Sequence, residues 1–68
     1  MGIGEKIREE RIKKGLKQCQ LANKAGISNT YLSDIEVGRI TPSIKTLMKV
    51  AQALNVDCTV FLKSDNEK

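Results

Sequence analysis

The stretch QCQLANKAGISNTYLSDIEV, residues 18–37, decides how this chain folds. Its apolar residues recur at helical spacing on both sides of Gly26. Glycine readily adopts the left-handed backbone conformation that ends a helix, so the stretch predicts two short helices joined by a tight turn. The second helix has Leu32 and Ile35 on an apolar face and polar residues elsewhere. A helix this short is not stable alone, so the apolar face must pack on a core and leave the polar face free.

Helical spacing also precedes this stretch. Ile3, Ile7 and Arg11 stand four residues apart, which places them on one stripe of a first helix. Basic residues followed by Gly15 are a typical C-terminal signal, so this helix is expected to end there.

The segment after the stretch predicts a longer fourth helix. Its apolar face consists of Ile44, Leu47, Val50, Ala51 and Leu54. The letters TPS allow two starts, with Thr41 as N-cap and Pro42 at the first helical position, or with Ser43 as N-cap. Asn55 is expected to close the helix.

A short fifth helix is predicted near the end of the chain, with Asp57 as its N-cap. The segment VDCTVFL is rich in β-branched residues and is also compatible with a strand. A single strand would have no partner here, so the helix is favoured. The chain is therefore predicted to be all-α, with five short helices.

Length and composition predict one small domain over residues 1–68, with a polar tail at 63–68. No apolar run approaches the roughly 18 residues of a membrane span, and the start lacks the apolar stretch of a signal peptide. Two cysteines and no histidine are too few for a structural zinc site or a disulfide framework. A cytoplasmic protein with reduced thiols, no metal and no cofactor is expected.

The charge is uneven along the chain. The net charge is +4, and residues 1–49 hold ten Lys or Arg against five Asp or Glu. The first two thirds of the chain are therefore cationic, which makes a polyanionic partner plausible.

LKQ leads into the central stretch, IEVGR closes it, and TPSIKTLMKVAQALNV follows. In this order, these motifs resemble the helix-turn-helix of the Cro/CI repressor family, also called the Xre family. The resemblance covers residues 5–62. It implies a compact five-helix, lambda-repressor-like domain with its helix-turn-helix at about 18–37. It also implies sequence-specific binding of double-stranded DNA by a small transcriptional regulator, with helix 3 in the major groove.

The resemblance assigns DNA contacts to Lys17, Gln18, Ser28, Asn29, Thr30, Tyr31, Ser33 and Arg39. Asn29, Thr30 and Ser33 are the expected base readers, because Asn can bond adenine bidentately and the Thr methyl can contact a thymine methyl. Gln18 and Arg39 are expected at phosphates. No Arg or Lys lies between Ser28 and Asp34, so the contacts of helix 3 are expected to favour A·T pairs.

Three residues in this region leave alternatives open. The Tyr31 hydroxyl could bind a phosphate, or its ring could pack over helix 2. Asp34 could read a cytosine amino group or face away from DNA. Lys17 stands where the family commonly has a capping Ser or Thr, so the cap of helix 2 is either lost or supplied by another residue.

Arg11 and Glu36 are expected to form an ion pair that links helix 1 to helix 3. Arg11 lies on an apolar stripe, where an unpaired charge would be costly. The family has such an Arg–Glu pair at matching positions.

The partners follow from the resemblance. A homodimer on a palindromic operator is expected, because two-fold dimers read two half-sites. The predicted dimer surface comprises Val56, Val60, Phe61 and Leu62, which could instead cap the core. Contact with RNA polymerase is a further expectation.

Two other functions are weighed against DNA binding. One is a protein-interaction module, such as an antitoxin-like protein that binds a partner. The other is an enzyme, which is disfavoured because the chain has no histidine and no phosphate-binding glycine loop. Cys19 and Cys58 are expected to be inert thiols, with a redox switch as the alternative.

Overall fold

The computed structural model describes residues 2–61 and is all-helical over that range. The helices are α1 (Ile3–Lys13), α2 (Gln18–Ala25), α3 (Asn29–Glu36) and α4 (Ile44–Leu54), and the helical residues 59–61 are labelled α5. No strand occurs in this part of the chain, so the all-α prediction is confirmed and the strand alternative for VDCTVFL is wrong within it. The predicted tail at 63–68 lies outside the described residues.

One hydrophobic core joins the helices. α2 packs on both α3 and α4, and α1 lies against α3 and α4. The largest fully buried side chains are Ile7, Leu21, Leu32, Ile35, Val50, Leu54 and Phe61. Every helix therefore contributes to the core, and this core holds the short α3 in place.

The helix ends follow the predicted chemistry. Gly26 ends α2 with φ 74°, and Asn55 ends α4 in the same left-handed region with φ 61°. The Ser43 hydroxyl oxygen accepts a hydrogen bond from the Thr46 backbone N–H at 3.2 Å, so Ser43 is the N-cap of α4 and Thr41 is not. Asp57 Oδ1 accepts from the Thr59 backbone N–H at 3.1 Å, as expected of a residue that starts α5.

Two apolar residues lie elsewhere than predicted. Phe61 was assigned to a dimer surface, but it is fully buried in the core of its own chain. It has no exposed surface to offer a partner, so this assignment is wrong; Leu62, assigned with it, lies outside the described residues. Ile44 was placed on the buried face of α4 but is exposed, because it is the first residue of that helix and Leu47 is the first to reach the core.

Gly4 lies where α1 crosses the end of α3. A Cβ atom at this position would overlap the backbone carbonyl oxygen of Ile35 and stand 3.0 Å from that of Glu36. The backbones of the two helices can approach this closely only because residue 4 has no side chain.

The described helices have at most eleven residues, and none within 2–61 has the length and apolarity that crossing a membrane requires.

Candidate nucleic-acid interface

The helix α3 has one face in the core and one face open to solvent. Leu32 and Ile35 are buried, whereas Asn29 and Thr30 are exposed and Ser33 is partly exposed. The three predicted base readers therefore share the outer side of a helix that is anchored by its inner side. Their short polar side chains are available to a ligand without loss of core packing.

The turn before α3 fixes the direction in which these side chains project. The Ile27 backbone N–H donates to the Ala22 carbonyl at 3.0 Å, and Gly26 N–H donates to the Asn23 carbonyl at 3.2 Å, which closes α2. The Ser28 hydroxyl oxygen accepts from the Tyr31 N–H at 3.0 Å and caps α3 as predicted. Ser28 remains exposed, so its hydroxyl hydrogen is still available to a phosphate.

A buried carboxylate joins three helices behind this surface. Glu36, whose side chain is only 2% exposed, accepts from Arg11 Nε at 2.8 Å and from Arg11 Nη2 at 3.2 Å. Arg11 Nη1 also donates to the Leu16 carbonyl at 2.9 Å, which ties down the connection between α1 and α2. Glu36 lies at the C-terminus of α3, where a negative charge is unfavourable, so it depends on these donors.

The same carboxylate orients Gln18. The Gln18 amide Nε2 donates to Glu36 Oε1 at 3.1 Å, which fixes the side chain at the first position of α2. An amide nitrogen has two hydrogens, so one remains for a phosphate. Sequence reasoning found both residues but missed the bond between them.

The start of α2 is capped by Gln20. Lys17 is the N-cap residue, and its backbone N–H donates to Gln20 Oε1 at 2.8 Å. A capping box has two bonds, and a lysine ammonium has no acceptor for the first, in which the N-cap side chain accepts from a backbone N–H of the helix. Only the second forms here, in which the Gln20 side chain accepts from the Lys17 backbone N–H. The glutamine three residues after the cap was the signal in the sequence. The Lys17 side chain remains exposed.

Tyr31 links α3 to the start of α4. Its ring packs against the core, and its hydroxyl lies 3.4 Å from Thr46 Oγ1. Thr46 Oγ1 in turn accepts from the Ser43 hydroxyl at 3.1 Å. The ring therefore packs on the core and the hydroxyl reaches α4. Packing of the ring over α2 and a phosphate contact by the hydroxyl both stay predictions.

Arg39 lies in the connection after α3, and its side chain is 77% exposed. Its Nη1 is 3.4 Å from Asp34 Oδ1. Asp34, for which a cytosine contact and an orientation away from DNA were both open, therefore lies beside an arginine. Sequence reasoning did not pair these two residues.

The thiols and the acidic residues form no further site in the described chain. Cys19 is exposed in the first turn of α2, Cys58 is partly buried before α5, and both are free thiols. Within residues 2–61, no group of three or more Cys, Asp or Glu residues is arranged to hold a metal ion.

Comparison with known proteins agrees with this geometry. The model of the helix-turn-helix family matches residues 7–61. The ImmF control region 10 kDa protein of Bacillus phage phi105 is 48% identical over 59 residues, which cover 87% of this chain and 66% of that protein. The transcriptional regulator SinR of Bacillus subtilis is 41% identical over 66 residues, covering 96% of this chain and 60% of SinR. The chain thus spans less than two thirds of either relative.

A solved structure is similar over nearly its whole length. The crystal structure of SinR in complex with DNA matches with a TM-score of 0.84 and 43% identity, covering 88% of this chain and 97% of that chain. SinR is named an HTH-type transcriptional regulator. With the family match over residues 7–61 and the α2–turn–α3 geometry described above, the chain belongs to the helix-turn-helix family of the Cro/CI, or Xre, type.

Proposed function

We propose that this protein is a sequence-specific DNA-binding transcriptional regulator, a repressor or controller acting in the cytoplasm, with residues 1–68 as one domain. The observation that carries the proposal is the exposed polar face of α3, with Asn29, Thr30 and Ser33 outward and the opposite face fixed in the core. A helix held in this way can enter the major groove with its N-terminal side chains at the base edges. SinR, a similar protein, was crystallised with DNA, which supports the same ligand here.

The phosphate contacts are proposed to flank α3. Gln18 has one amide hydrogen free, Ser28 has its hydroxyl hydrogen free, and the Arg39 and Lys17 side chains are exposed. Such contacts fix the register of the protein on DNA, and the α3 side chains then select the sequence. The Tyr31 hydroxyl adds a further donor at the edge of this surface, beside the N-terminus of α4.

The function is tested by selecting bound duplexes from a random pool. We expect enrichment of a two-fold symmetric site whose α3 contacts are mainly A·T pairs, because α3 has neither Arg nor Lys. Asn29→Ala should relax the preference at one base pair and cost about 1–3 kcal/mol of discrimination there. The matched control is Asn23→Ala on the exposed side of α2, which should leave base preference unchanged. Half-sites dominated by G·C pairs would contradict the proposed reading.

We further propose that the protein binds its operator as a homodimer. Val56 and Val60, both partly exposed, are the predicted interface residues that lie within the described chain and remain accessible. Val56 borders a shallow depression of about 220 Å³ that Met48, Ala51, Gln52 and Cys58 also line. This apolar surface lies beside α4, and Met48 is 54% exposed.

Sedimentation of a charged variant tests the dimer. Met48→Glu should shift the protein toward the monomer and weaken binding to a full operator more than to a half-site. The variant would bury one carboxylate from each copy at the interface, where the two like charges repel each other. Ile12→Glu is the control, since Ile12 is 55% exposed on α1. If both variants sediment as dimers, this surface is excluded as the dimer interface.

The antitoxin-like alternative has no comparable support, since the relatives named above are a control-region protein and a transcriptional regulator. Contact with RNA polymerase is proposed only as a consequence of binding near promoters, and the operator must first be identified to test it.

A further inference from the structure

The ion pair between Asp34 and Arg39 lies on the surface proposed to bind DNA. Asp34 comes four residues after Thr30 on α3, so the two side chains are neighbours on the helix surface. The side chain of Asp34 is 26% exposed and that of Arg39 is 77% exposed. A negative charge therefore stands beside the polar residues that face a polyanion, and it is paired with the arginine expected at a phosphate.

The backbone holds the two residues together. The N–H groups of Arg39 and Ile40 both donate to the Asp34 carbonyl oxygen, at 2.9 and 3.3 Å. The chain after α3 thus folds back over Asp34 and brings the Arg39 side chain next to the carboxylate. Within residues 2–61, Asp34 is the one acidic partner of Arg39.

We propose that Asp34 is a positioning residue that competes with DNA phosphate for the Arg39 guanidinium; this inference rests on the proposed function. In the free protein Arg39 is paired with Asp34. To bind a phosphate through Nη1, Arg39 must release the Asp34 carboxylate, which then stands without a cation near the DNA backbone. Asp34 therefore offsets part of the affinity that Arg39 would otherwise contribute on DNA of any sequence.

The exposure of the pair sets the size of the effect. Exposed ion pairs are weak and are screened by salt, so displacement of the carboxylate by a phosphate costs little free energy. The coupling between the two side chains in DNA binding is expected to be about two- to fivefold in affinity at low salt. It should diminish as the salt concentration rises.

A double-mutant cycle tests the proposal. Wild type, Asp34→Asn, Arg39→Ala and the double variant are titrated against a random-sequence duplex and the selected operator over a range of salt. Arg39→Ala should lower affinity about two- to fivefold more when residue 34 is Asn than when it is Asp. The slope of log affinity against log salt should fall by about one on removal of Arg39 in the Asn background, and by less in the wild-type background.

Two controls separate pairing from a general charge effect. Glu5→Gln removes a negative charge from an exposed position on α1, and its effect on affinity should not depend on Arg39. Asp34→Ser serves as a second variant if Asp34→Asn lowers the melting temperature. If Arg39→Ala lowers the affinity for DNA equally in both backgrounds, the role of Asp34 is overturned. The proposed function stays intact in that case as long as wild type binds its selected operator. Failure of wild type to select any duplex would overturn both.

Discussion

Replacing Arg11 with alanine is expected to lower the free energy of unfolding by about 3–5 kcal/mol, the usual cost of removing one partner of a buried ion pair. The Glu36 side chain is 2% exposed and accepts two hydrogen bonds from Arg11. Without Arg11, the Gln18 amide would be the one remaining donor to this carboxylate within residues 2–61. The Leu16 carbonyl would also lose its donor. The loss is measured by chemical denaturation, with unchanged m-value as evidence that the unfolding transition is the same.

The neighbouring arginine provides the control for this prediction. Arg8 is exposed on the same helix, so Arg8→Ala removes the same charge and should change stability by less than about 0.5 kcal/mol. The double variant Arg11→Ala with Glu36→Ala should be less destabilised than the two single losses added together, because neither charge is then left unpaired. Additive losses would show that the two side chains do not stabilise the fold as a pair.

The Arg11–Glu36 pair also bears on function. Glu36 is the last residue of α3, and through Gln18 it is joined to the first residue of α2. The carboxylate thus connects the end of the proposed reading helix to a proposed phosphate contact. Arg11→Ala should therefore weaken operator binding even at temperatures where the variant is still folded, since Glu36, which orients Gln18, loses the Arg11 donors that hold it in place.

The fold could be predicted because its signals are local. Gly26 and Ser28 lie in the few residues between α2 and α3, and their roles depend only on backbone conformation and a hydroxyl one helical turn from its donor. The outward position of Asn29 follows from the buried positions of Leu32 and Ile35 by helical periodicity. For these residues, sequence spacing and spatial position carry the same information.

The interactions that the sequence did not indicate depend on distances across the fold. Gln18 and Glu36 are eighteen residues apart in the chain, and no periodicity relates residues on two different helices. Phe61 illustrates the same limit, since an apolar residue near the end of a pattern fits either a core or a partner surface. Phe61 is buried because a domain this small needs large apolar side chains to fill its core, and the chain has one phenylalanine.

Gly4 is the clearest case of a residue whose importance lies in the contact between helices. Glycine inside a helix ordinarily costs about 1 kcal/mol relative to alanine, so Gly4→Ala would be expected to stabilise an isolated α1. In the folded chain, the added Cβ would overlap the Ile35 carbonyl oxygen. Backbone atoms cannot move aside as a flexible side chain can, so α1 and α3 would have to separate.

Gly4→Ala is therefore expected to destabilise the protein by about 1–3 kcal/mol, the usual range for overpacking, despite the gain in helix propensity. Gly2→Ser adds a side chain two residues earlier, where a Cβ meets nothing within 4 Å and where serine suits the N-cap position of α1. This control should leave the melting temperature equal or slightly higher. Because separation of α1 from α3 would also pull Arg11 from Glu36, Gly4→Ala and Arg11→Ala should be less than additive when combined. A stabilised Gly4→Ala variant would mean that helix propensity outweighs the close approach of the two backbones.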